Sequence, residues 1–448
     1  MKLIPNHIKN KLSQKPYLNK IINNMGWLFF DKIFRMGVGL FIGAWMARYL
    51  GPEQLGLLNY VLAIISFLVV IAGFGLNSIT VKELVNEPKL TNIIMGSTFF
   101  IQIVTSVLAF LILLLLTFIL FTDNTSKVIA IVIGFSLLFK ASDVIRYFFE
   151  SHTQSKYIVW SENCSFVICS LLKIILILCK ASLLAIASIF LLDAFIISSL
   201  IVFAYLSRKQ QITTWKIDLN YIKKIIKQCW PLILSGLTII IYMRIDQVML
   251  AQMLDYEAVG LYTAATKISE IWYLIPMIIM SSVTPTLIKA RAVNEENYYS
   301  KLKLIINILV IISISIAIIT SFLAPYIIYF LYGVQYQASA SILIIHIWTG
   351  VFVSLGVASS QWFVIENLQL LSLYRTLCGA IVNLVMNFLL IPIIGGLGAA
   401  ISSLIAMACT ALIYDLFNRQ TKMFFYMKIR SFNLFHTINL LMKYIKQK

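Results

Sequence analysis

The sequence predicts an all-α membrane protein of about twelve transmembrane helices, arranged as two six-helix lobes with both termini cytoplasmic. Three observations predict it. The chain is 60% hydrophobic and only 12% charged over 448 residues, more apolar surface than a water-soluble fold needs. Apolar runs long enough to cross a bilayer, roughly 20 residues each, recur along the whole chain. Lys and Arg gather in alternate connections between those runs, as they do in cytoplasmic loops.

In chain order, a basic segment (1–22) precedes a first run near 23–50. That run reads as the first span and not as a cleaved leader, because it has full spanning length and carries Asp31, Lys32 and Arg35. Runs near 56–81, 92–121, 127–149, 157–179 and 183–206 complete a first lobe, 23–206. A basic connection, 207–228, follows and reads as the linker between lobes. The second lobe, 229–418, has runs near 229–253, 259–286, 302–324, 338–362, 370–393 and 397–418. Short polar or Gly/Pro-bearing links separate all of them. The tail, 419–448, interleaves Phe424, Phe425 and Phe432 with Lys428 and Arg430. It is too charged to span and reads as a basic amphipathic cytoplasmic segment.

With the N terminus inside, one face of the membrane collects the clusters at 2–20, 82–89, 208–227, 289–303 and 419–448, whereas the other offers only Arg48, Lys127 and Lys180. Topology therefore accounts for the net charge of +18. Nucleic-acid binding would need those charges on one face of a soluble domain, and the chain leaves no room for one. The six cysteines lie inside or at the edges of apolar runs with no CxxC pair, as small core residues do. Neither HExxH nor a Ser/His/Asp order is present, and Gly39 and Gly43 form a GxxxG pair expected to pack helices closely.

The halves repeat. Placing ARYLGPEQLGL (47–57) over AQMLDYEAVGL (251–261) matches Ala47 with Ala251, Leu50 with Leu254, Glu53 with Glu257, Gly56 with Gly260 and Leu57 with Leu261. Both strings sit at the junction of the first and second span of a half, so a six-helix unit is duplicated. Six is even, so both copies enter the membrane in the same direction and can rock about a central cavity.

Charges lie inside the spans, where insertion costs about 2.5 to 3.5 kcal/mol at the centre. Burial against partners or in a wet interior is expected. Asp31 with Arg35, Asp143 with Arg146 and Lys267 with Glu270 have the spacing of same-face pairs. Lys140, Arg146 and Arg375 lie toward cytoplasmic ends and can snorkel. Lys32, Arg35, Lys173, Arg244 and Lys267 lie deeper and come from both halves, which suits an anionic headgroup such as a phosphate or pyrophosphate. Arg244 and Asp246 diverge by about 200° on a helix and cannot simply neutralise each other. Asp193, Asp246, Glu270 and His346 are the candidates for ion coupling, although a single helical His more often packs through a hydrogen bond.

The stretches ARYLGPEQLGLLNY (47–60), RYFFESHTQSKY (146–157), MRIDQVMLAQMLDYEAVGLYTAATKI (243–268) and NLVMNFLLIPIIGGLGAAISSLIA (383–406) resemble the Wzx-type O-antigen flippases. These form part of the polysaccharide-transporter branch of the multidrug/oligosaccharidyl-lipid/polysaccharide (MOP) exporter superfamily. The resemblance covers most of the chain. It implies translocation of an undecaprenyl-pyrophosphate-linked oligosaccharide from the cytoplasmic to the periplasmic leaflet of a bacterial inner membrane. It further implies membrane lipids, a polysaccharide polymerase and a chain-length regulator as partners, no cofactor, and proton or sodium coupling that the motif leaves open. An Asp in the seventh helix recurs in the family pattern, and Asp246 occupies that place. The alternatives are a cation-coupled multidrug exporter of the same superfamily, which favours acidic cavity walls, and an O-antigen polymerase or ligase, which favours a large periplasmic loop. The longest outer connection here, near 325–337, carries no charge.

Overall fold

The computed structural model describes residues 16–433, with side chains from Arg35 onward. The side chains of Asp31 and Lys32, and the tail from 434 to 448, lie outside the described residues. Eleven helical stretches are long and apolar enough to cross a membrane, and the first, Arg35–Asn86, has 52 residues. At 1.5 Å per residue that is about 78 Å, about two and a half times a bilayer core. It breaks at Gly51, whose φ of 75° is left-handed, so it makes two crossings and the total among the described residues is twelve.

The helices run in order as α1 (Pro16–Gly73, with one arm before Gly51 and one after), α2 (Leu76–Asn86), α3 (Thr91–Leu120) and α4 (Asn124–Gly134). A 3-10 segment, Phe135–Ser142, continues α4 into α5 (Asp143–Ser151), and α6 (Lys156–Leu178) and α7 (Leu183–Ser207) complete the first lobe. The second lobe holds α8 (Leu219–Met253), α9 (Tyr256–Ile271), α10 (Leu274–Val293) and α11 (Glu295–Tyr332). It ends with α12 (Ser339–His346), α13 (Thr349–Ile365), α14 (Gln369–Ile394) and α15 (Gly396–Ala411), followed by α16 (Lys422–Ser431). No strand occurs among the described residues.

Caps explain where several helices start. Pro52 follows Gly51 and opens the second arm of α1 without needing an N–H partner. At the matching junction of the second lobe, Asp255 instead caps α9, its carboxylate accepting the Ala258 amide at 2.8 Å. The carboxylate of Asp218 accepts the amides of Asn220 and Tyr221 at 2.8 and 3.0 Å. This cap starts α8 inside the stretch read as linker. The preceding connection lies on α3, where a Cβ on Gly96 would stand 2.4 Å from the Lys216 carbonyl.

The core divides in three. One cluster, with Leu50, Leu58, Phe121 and Ile186 from the first lobe and Leu250, Tyr262, Ile328 and Leu343 from the second, joins both lobes at the membrane face opposite the basic loops. A second, with Leu84, Phe149 and Tyr205, holds the basic-side half of the first lobe and takes in Ile222, Ile225 and Cys229 of α8. A third, with Leu287, Tyr298, Trp362 and Phe424, holds the basic-side half of the second lobe. The lobes thus share one core at the outer face, whereas at the basic face they have two cores, and the start of α8 packs into that of the first lobe.

The repeated glycines close the outer face. A Cβ on Gly56 would stand 1.6 Å from the Tyr256 carbonyl oxygen, and one on Gly260 would stand 1.9 Å from that of Pro52. The second arm of α1 and α9 therefore cross backbone to backbone. Beside them the Arg48 guanidinium donates to the carbonyls of Tyr329, at 3.2 Å, and Phe330, at the end of α11. The Gln335 amide returns a bond to the Arg48 carbonyl at 2.8 Å, and the Tyr336 hydroxyl donates to Ala47 O at 2.9 Å. The outer connection expected near 325–337 is shorter than its sequence suggests, because α11 continues through Pro325 to Tyr332.

Candidate functional site: a cationic cavity between the lobes

Just inside the outer crossing lies a cavity of about 160 Å³. The first arm of α1 contributes Gly39, Gly43 and Met46, and the second contributes Leu58 and Asn59. From α6 come Phe166, Ser170 and Lys173, from α7 Phe190, and from the other lobe Lys267 on α9. Two of the deep cations read from the sequence, one per lobe, therefore face one space. The Lys173 ammonium sits 4.8 Å from the centre of the Phe190 ring. Lys267 makes no ion pair among the described residues and is solvent-accessible, so its charge is directed at the cavity. Its same-face neighbour Glu270 lies 3.9 Å from Arg244 instead.

Gly39 and Gly43 correct an expectation. A Cβ on either would meet nothing within 4 Å. This GxxxG pair widens the cavity wall and packs no helix; the close crossings are made by Gly56 and Gly260.

The other predicted cations go elsewhere. Arg35 lies on the same arm of α1 toward the basic face, where it donates to Glu162 at 3.1 Å. The second oxygen of Glu162 takes Arg146 at 2.6 Å, and Asp143 holds Lys140 and lies 3.7 Å from Arg146. This chain of alternating charges, three cations and two acids, links α1, α5 and α6. Arg146, between Asp143 and Glu162, is its centre. Arg375 does not snorkel: it is only 3% exposed, with its guanidinium 4.9 Å from the Phe363 ring and 3.4 Å from the Ser360 hydroxyl. It lies nearly two turns inside α14 and is covered by α13.

Asp246 is buried, 4% exposed, on the face of α8 opposite Arg244. The hydroxyls of Tyr262 and Ser403 and the amide of Asn387 each donate to it at 2.5 Å. Three donors converging on one carboxylate are what its ionised form accepts. The amide oxygen of Asn387 and the hydroxyl of Thr263 are buried without a partner among the described residues, so oxygen lone pairs remain free in this region. The His346 ring lies 5.9 Å edge-on from that of Tyr262, with Nδ1 2.6 Å from the Ser269 hydroxyl. In the first lobe Asp193 accepts the Ser165 hydroxyl at 2.5 Å.

Two duplicated six-span lobes, joined at one membrane face around a polar internal cavity, are an arrangement found in membrane transporters that rock their halves. The family model described as "Polysaccharide biosynthesis protein" matches residues 21–290, well over half the chain. The chain belongs to that family. A second model, MatE, matches residues 231–389. Among solved structures, the chain is similar to the inward-facing conformation of a multidrug resistance MATE family transporter of the MOP superfamily. That match has a TM-score of 0.69 at 16% identity, covering 90% of this chain and 96% of that one. It is similar to the lipid II flippase MurJ in an inward closed conformation, with a TM-score of 0.71 at 16% identity over 94% and 92%. A MOP superfamily transporter from Pyrococcus furiosus gives 0.60 at 15% identity over 90% and 94%. No curated protein matches. The chain thus combines membership of that family with the fold of these solved MOP superfamily proteins.

Proposed function

We propose that the chain moves undecaprenyl-pyrophosphate-linked oligosaccharide repeat units, of O-antigen or a related surface polysaccharide, from the cytoplasmic to the periplasmic leaflet of a bacterial inner membrane. The observation that carries this reading is the pair Lys173 and Lys267, one from each lobe, facing one cavity with the Lys267 charge unpaired. A pyrophosphate brings several negative charges into a low-dielectric space and is held there by ammonium groups aimed at it. Because the two cations belong to opposite lobes, a bound anion draws the lobes together from both sides. The saccharide then occupies the space between the separate basic-side cores, and the polyprenyl tail stays in lipid. Coupling is assigned to Asp246, whose charge is held by removable hydrogen bonds from three different helices, α9, α14 and α15. The released units pass to a polymerase and its chain-length regulator. A cationic drug would meet Lys173 and Lys267 as like charges, which disfavours the multidrug reading.

In cells lacking the protein, single lipid-linked repeat units are expected to accumulate on the cytoplasmic leaflet, inaccessible to an impermeant glycosidase added to spheroplasts. Accumulation of single units on the periplasmic leaflet would instead mark a polymerase and overturn the proposal.

A further inference from the structure

We propose that the free face of α16 is a lipid-docking surface, seated among the anionic headgroups of the leaflet on the basic side. The helix begins within six residues of the 3-10 turn Ile413–Leu416 that ends the last span. Its start therefore lies at headgroup depth, within about 20 Å of the span end even for an extended link.

One face of α16 is fastened to the protein. The Phe424 ring stacks on Trp362, with centroids 4.5 Å apart and planes 6° from parallel. Lys428, fully buried, donates to Ala411 O at 2.7 Å and to the Asp415 carboxylate at 2.5 Å. These contacts fix the helix about its own axis, so the opposite face cannot roll inward. That face presents Met423, Tyr426 and Ile429, between 42% and 50% exposed, at three-residue spacing. The exposed residues Lys422 and Arg430 lie among them on the same arc, and exposed Phe417 and Arg419 flank it. From Leu416 to Asn433 the sequence holds no Asp or Glu.

Apolar side chains alternating with cations on one helical face, with no acid, match the boundary between acyl chains and anionic headgroups. A protein partner fits less well, because protein interfaces are depleted in Lys and Lys422 lies on this arc. The inference is independent of what the cavity carries.

The test uses the full chain, its native cysteines replaced, with nitroxide labels at M423C, Y426C and I429C. It is reconstituted into phosphatidylethanolamine vesicles containing phosphatidylglycerol and into phosphatidylcholine vesicles. With phosphatidylglycerol present, the labels should collide with oxygen in preference to a water-soluble nickel chelate. Lys422→Gln and Arg430→Gln should each reduce the lipid-seated population by about fivefold. Amide exchange of the unmodified protein over 417–433, slower with phosphatidylglycerol than with phosphatidylcholine, gives the same answer without any substitution. Labels that stay water-accessible with phosphatidylglycerol present would overturn the proposal and leave the face to a protein partner. Lipid immersion indifferent to headgroup charge would overturn the anionic assignment.

Discussion

At the scale of single residues, the seventh span shows what a helix period can and cannot reveal. The divergence of Arg244 and Asp246 was readable from two positions of sequence, and each residue does go to a separate set of partners. The partners themselves were not readable. Tyr262, Asn387 and Ser403 lie 16, 141 and 157 residues from Asp246 and meet it only because α8, α9, α14 and α15 pack together. Likewise Glu162 has no local sequence signal that it bridges Arg35 and Arg146, since Arg35 is 127 residues away. Replacing Asp246 with Ala leaves three donors without their acceptor, which should cost about 1 to 3 kcal/mol for each buried group left unsatisfied. The variant is expected to melt lower and to lose transport. Asp246→Asn keeps the volume and should melt near the parent while losing its response to an imposed sodium or proton gradient. An Asn variant that transports with an unchanged gradient response would remove Asp246 from coupling.

At the scale of helices, the glycines separate by what surrounds them. Gly39 with Gly43 and Gly56 with Gly260 look alike as small residues in apolar runs, and only the repeat marked the second pair. Gly56 and Gly260 sit where two carbonyls leave no room for a methyl group, whereas Gly39 and Gly43 face open space. Gly56→Ala should therefore spread the crossing of the second arm of α1 with α9 and sharply lower thermal stability. Gly39→Ala should fold normally. Melting of both variants in detergent decides the point, and equal behaviour would contradict this packing. The twelve crossings were legible because length and hydropathy set them. The 3-10 segment Phe135–Ser142 was not, because its residues also suit an α-helix and the tighter winding is set by neighbouring packing.

At the scale of the molecule, the two-lobe organisation followed from the repeat and the alternating charges, but the conformation did not. Sequence encodes every state that a two-lobed chain can adopt at once. The three cores define the present state: lobes joined at the outer face, with separate cores at the basic face bridged by the start of α8. Arg48, which the charge count marked only as one of few basic residues outside, ties α1 to the end of α11 across that joint. Arg48→Gln should weaken the outer closure and shift the population toward outward-open by up to about tenfold, for a loss near 1.4 kcal/mol. Spin-label distances between the lobes at the outer face would report the shift, and an unchanged distribution would show that the glycine crossing suffices without the latch.

The central claim is that cations from both lobes draw a pyrophosphate headgroup through the protein. Its most direct measurement follows an undecaprenyl-pyrophosphate-linked oligosaccharide between leaflets of proteoliposomes, scored by accessibility to an impermeant glycosidase. The wild-type protein should move the lipid well above the rate of protein-free vesicles. The Lys173→Ala/Lys267→Ala double variant, inserted and folded, should lose at least about tenfold, as the loss of charge-assisted contacts predicts. A rate no greater than in protein-free vesicles, or a double variant as fast as the wild type, would contradict the account.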